Sequence, residues 1–113
     1  MTEDDLEPPY HLRLDPGEVG ATVKALHLLI SDEAHEPHIR ELAREVLAQL
    51  EGLADERGIL SLALASQQMK ITHTALALLY RDLGREQASE LDVLRGILNK
   101  LPDEHVMRAI TIR

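Results

Sequence analysis

The residues of this chain best suited to chemistry are its histidines. Two of them, His35 and His38, stand three apart in the stretch HEPH. Imidazoles at that spacing can share one metal ion, and Asp32, Glu33 or Glu36 could add oxygen ligands. A fixed site needs three or four ligands on rigid elements, however, and these fall in a turn. The expectation is a solvated turn, with His35 and His38 as candidate ligands and no resident metal or cofactor. A second set falls on a helical stripe: Met69, His73 and Tyr80. His73 and Tyr80 are about 10 Å apart along such a helix, so the three could line a small-ligand pocket or a partner groove. The plainer expectation is a half-buried histidine and a tyrosine whose hydroxyl reaches water.

Other residue types exclude more chemistry than they suggest. There is no cysteine, hence no thiolate zinc site, disulfide or cysteine nucleophile. The chain has no glycine-rich phosphate loop and no serine in a nucleophile elbow. Its carboxylates stand three or four from arginines, as in Glu36 and Arg40, Glu41 and Arg44, or Asp92 and Arg95. That spacing marks exposed helix faces. The expectation is a protein that is not an enzyme.

Twenty acidic residues face twelve Lys and Arg, a formal charge of −8. Phosphate contacts supply most nucleic-acid affinity, so neither nucleic acid nor an anionic membrane is an expected partner. An acidic helix-turn-helix regulator is a weaker alternative on LLYRDLGREQASELDVL. It puts Tyr80 where that motif needs a small residue, and its second helix is net acidic. No apolar run reaches the ~20 residues of a membrane span. The opening MTEDDLEPPY is acidic, unlike a signal peptide, and a cytoplasmic location is expected.

The elements that must position these residues follow from periodicity. Residues 1–9 read as a polar lead-in. YHLRLD alternates, as a strand with one buried face does. Asp15, Pro16 and Glu18 form a helix start, and Val19, Val23, Leu26 and Ile30 make the apolar stripe of a first helix to Ser31. A second helix begins at Pro37, carries Ile39, Leu42, Val46, Leu47 and Leu50, and stops at Gly52. ILSLALA alternates again. Ser66 is the expected cap of a third helix with the stripe Met69, His73, Leu76 and Tyr80. A fourth holds Leu91, Leu94, Ile97, Leu98 and Leu101 as far as Pro102. The tail reads as a third strand, or as a short helix through DEHVMRAI.

Shifting the chain by fifty aligns residues 12–32 with 62–82 at eight identities in twenty-one positions, among them Leu12/Leu62, Thr22/Thr72, Ala25/Ala75 and Leu29/Leu79. Two in-phase amphipathic helices would give about four. A shift of fifty-one carries the match into the next helix, through Val46/Ile97 and Leu50/Leu101. The expected fold is α+β and mainly α: one domain of two βαα repeats, 10–53 and 59–102. Their αα-hairpins pack as a four-helix core, and the short strands form a small sheet. One hairpin of about forty residues cannot bury both its leucine faces alone, which gives a duplication its physical motive.

Leu28 and Leu78, beside Leu29 and Leu79, widen the apolar stripe beyond what one hairpin buries. They are the candidate interface residues. The expected function is a small non-catalytic interaction or regulatory protein, homodimeric or bound to a protein partner. A ligand- or metal-binding helical protein is the alternative from another class.

Overall fold

Alternation in YHLRL and LSLAL produces two five-residue strands, β1 (Tyr10–Leu14) and β2 (Leu60–Leu64), paired antiparallel. The computed structural model describes residues 10–53, 58–83, 88–101 and 104–110. Between and after the strands run α1 (Pro16–Ser31), α2 (Pro37–Gly52), α3 (Ser66–Asp82), α4 (Ala88–Lys100) and α5 (Glu104–Ala109). The molecule is α+β, mainly helical, with this small two-stranded sheet packed against α1 to α4. Leu12, Leu14, Leu60, Leu62 and Leu64 face inward and are buried, while His11, Arg13 and Ser61 face out.

The register centres on Leu12 opposite Leu62, flanked by Tyr10 opposite Leu64 and Leu14 opposite Leu60. Positions fifty apart therefore face each other at the middle of the sheet. Each strand is also covered by the helix of the other half: α2 lies against β2 and α4 against β1. On β2 the Gln49 amide accepts from the Ala63 N–H at 2.6 Å and donates to its carbonyl at 3.0 Å. On β1 the Lys100 ammonium donates to the Arg13 carbonyl at 3.0 Å. These side chains meet backbone groups that a two-stranded sheet leaves unpaired.

Helices α1 and α3 are central, each packing on the other and on both α2 and α4. Their buried faces are Thr22, Ala25, Leu26 and Leu29 on α1, and Met69, Ile71, Thr72, Ala75, Leu76 and Leu79 on α3. The stripe expected on α1 is rotated accordingly: Val19, Val23 and Ile30 are only half-buried. A helix packed on three neighbours buries a wide arc and approaches them most closely where its side chains are small, here at Thr and Ala. Both threonine hydroxyls are satisfied locally, Thr22 by the Glu18 carbonyl and Thr72 by that of Gln68.

Several boundaries differ from the sequence expectation. The third helix is capped at Ala65, not Ser66, with the Gln68 side chain accepting the Ala65 N–H at 2.9 Å. Glu18 does the same for Asp15 at 2.8 Å. Gly52 is the last helical residue rather than a left-handed stop. Among the described residues the left-handed glycine is Gly58, at φ 85°, just before β2. The tail takes the helical alternative, because Met107 is drawn into the core at 3% exposure. The expected third strand is thus absent among the described residues, and 111–113 lie outside them.

Candidate functional site

On α3, Lys70, His73, Thr74, Ala77, Leu78 and Arg81 recur at intervals of three and four, so they share one helix face. That face lies opposite the buried one. Helix α5 runs beside it and adds Met107 and Arg108, and together these residues line a groove of about 190 Å³. Its floor is Ala77, Leu78 and Met107. The Lys70 ammonium donates to the Ile110 carbonyl, which ties the end of α5 to α3. Thr74 turns its hydroxyl back to the Lys70 carbonyl at 2.9 Å. No acidic side chain lines the groove among the described residues.

The positions fifty residues earlier are Gly20, Val23, Lys24, His27, Leu28 and Ser31, the outward face of α1. Five of the six are exposed and Val23 is half-buried. Leu28 is 48% exposed, whereas Leu78 is half-buried in the groove. Lys24 reaches Glu90 on α4 at 3.4 Å. A second depression, of about 400 Å³, lies among His11, Arg13, Asp15, Ile59 and Lys100, and its charges are mixed.

The candidates Met69, His73 and Tyr80 do not share one groove. Met69 is in the core, His73 lines the α3–α5 groove, and Tyr80 turns towards α4. There Arg95 donates to the Tyr80 hydroxyl oxygen at 2.9 Å, its guanidinium 5.9 Å from the ring centre. This hydrogen bond, followed by the charges of Tyr80 and Asp92, raises the Arg95 pKa above the ordinary arginine value. The signal for the groove was present in the sequence as a second face of α3, basic at Lys70 and Arg81. The leucine-rich stripe drew attention to the other side.

His35 and His38 turn to different carboxylates. His35 Nε2 lies 3.7 Å from Asp32, and His38 Nδ1 lies 3.4 Å from Glu36. Among the described residues no three His, Asp or Glu side chains are grouped to hold a metal ion. The glycine turn of the helix-turn-helix alternative, at 84–87, lies outside the described residues. No described helix is long and apolar enough to cross a membrane. No protein-family model, curated protein or solved structure matches this chain.

Proposed function

We propose that this is a non-catalytic interaction protein that self-associates as a homodimer through the outward face of α1. The observation that carries this reading is Leu28, 48% exposed, where its counterpart fifty residues on, Leu78, is half-buried in the groove lined by α3 and α5. A second copy supplies the missing cover. Gly20 lies on the same face with nothing within 4 Å of where a Cβ would stand, which leaves room for a helix to approach. The reading includes the two halves as copies of one βαα unit, the second extended by α5.

Magnitudes set the kind of dimer. Burying one leucine contributes about 1.5–3 kcal/mol, so two copies of Leu28 supply roughly 3–6 kcal/mol. Association itself costs about 4–15 kcal/mol. Val23 and the apolar part of His27 must add to the contact, and the dimer is weak and concentration-dependent. Sedimentation velocity over a concentration series tests this. The wild type should shift from monomer to dimer as concentration rises, and Leu28→Glu should stay monomeric at every concentration. A wild type that is monomeric throughout, or a Leu28→Glu variant that dimerises equally, overturns the proposal.

A further inference from the structure

We propose that the free edge of β2 is a strand-pairing surface for β2 of a second copy of this chain, and that the Gln49 side chain holds it shut. This edge is separate from the α1 face, and the inference does not rest on association through α1.

Gln49 occupies the place of a third strand. Its amide accepts the Ala63 N–H at 2.6 Å and donates to the Ala63 carbonyl at 3.0 Å. In an antiparallel pair, residues that turn both backbone groups outward alternate with residues that give theirs to the neighbouring strand. Leu60, Leu62 and Leu64 therefore bond β1, while Ser61 and Ala63 present N–H and C=O to the free edge. An added antiparallel strand makes at Ala63 the same two bonds that Gln49 makes.

The two edges of the sheet are closed in different ways. Fifty-one residues beyond Gln49 stands Lys100, which donates to the Arg13 carbonyl at 3.0 Å. An ammonium has no acceptor, so it meets the carbonyl alone. Charge does the rest at β1: pairing with another β1 would bring two arginines and two lysines onto one short sheet, a common protection of edge strands. On β2 that protection is missing. From Ile59 to Ala65 the sequence ILSLALA carries no charge and no proline, the composition of a segment that pairs readily with its own copies. Gln49 does at β2 what charge does at β1.

A second β2 fits this edge. Antiparallel pairing about Leu62 sets Ser61 opposite Ala63 of the second copy, both small and uncharged. Leu60 then falls opposite Leu64, on the side where the leucines of β2 are already buried. Ile59, 62% exposed, shares the outer face with Ser61 and Ala63. It gains Ala65 as a neighbour across the new pair.

The test combines sedimentation velocity with hydrogen exchange on the full chain. Every protein carries Leu28→Glu, so that the α1 contact does not contribute. Gln49→Ala should dimerise at least about tenfold more tightly than the Leu28→Glu parent, since neither copy gives up two hydrogen bonds to pair. Its Ser61 and Ala63 amides should exchange freely at low concentration and be protected in the dimer, with α1 and α3 protected throughout. Gln49→Lys, which copies the other edge, should stay as monomeric as the parent. Ser61→Pro added to Gln49→Ala should restore the monomer, because it removes an outward N–H and leaves the β1 ladder intact. The proposal is overturned if Gln49→Ala associates no more tightly than the parent, or if its dimer leaves Ser61 and Ala63 unprotected. It is also overturned if Gln49→Lys pairs as well as Gln49→Ala, or if Ser61→Pro leaves the dimer in place. A parent that dimerises by itself counts against the α1 contact, and the comparison with Gln49→Ala still decides the β2 edge.

Discussion

Glu18 and Lys100 show how single residues divide the labour at the sheet. Glu18 is only 8% exposed, accepts the Asp15 N–H, and pairs with Lys100, which also donates to Arg13. The corresponding places around β2 are held by neutral Gln68 and Gln49, which bond Ala65 and Ala63. One end of the sheet is fastened by an ion pair and the other by amides. Lys100→Ala should leave a largely buried carboxylate without its cation. The cost should be about 2 kcal/mol, below the 3–5 kcal/mol of a fully buried pair because Lys100 is partly exposed. The double substitution of Glu18→Gln with Lys100→Gln should recover most of that loss, since glutamines already serve the equivalent places. Urea unfolding of the three proteins decides it, and a double variant no more stable than Lys100→Ala contradicts the account. Arg40 is a second local case: its Nε is buried with no hydrogen-bond partner among the described residues. Arg40→Met keeps the apolar stem and removes that group. It should raise stability by about 1 kcal/mol in the same assay.

Among the elements, α5 has the least support of its own. Six residues do not hold a helix alone in water, so α5 depends on Met107 in the core and on Lys70 at its end. Met107→Ala should cost about 2–3 kcal/mol. It should also release the α5 amides to hydrogen exchange ahead of those of α1 and α3. Equal protection of α5 in the variant and the wild type would show that something else holds it. Gly58 controls the entry to β2. At φ 85°, Gly58→Ala should cost about 1–2 kcal/mol although space around it is open, and thermal unfolding reads the difference. At this scale the sequence was largely legible. Alternation in YHLRL and LSLAL, Pro16, Pro37 and the leucine spacing marked both strands and four helices. The cap at Ala65 was not legible, because Ser66 is the better capping residue by type. Gln68, at the third helical position, accepts the backbone N–H of the cap residue as in a capping box, and it does so whichever residue stands at the cap.

For the molecule as a whole, the two outward faces set the behaviour. The α3 face shares a groove with α5 and carries Lys70 and Arg81, and the α1 face is open and apolar at Leu28. Leu28→Glu should therefore abolish self-association without lowering the unfolding midpoint of the dilute monomer, because an exposed leucine contributes little to the folded chain. A large loss of stability on that substitution would place Leu28 in the core of the folded unit.

Read alone, the chain determined the order and type of its main elements up to Pro102, the mainly helical class and the presence of a small sheet. Each of these follows from local spacing and from the need to bury leucines that one hairpin leaves exposed. Tertiary structure decided which side of each helix is inside. Val19, Val23 and Ile30 make the more hydrophobic stripe, yet α1 turns Thr22 and Ala25 inward because three neighbouring helices close on it at once. It also decided that Met69, His73 and Tyr80 part company, and that Lys70, Arg81 and Arg108 line one groove. The last of these needs α5 laid against α3, a contact between segments more than twenty residues apart that no local pattern encodes.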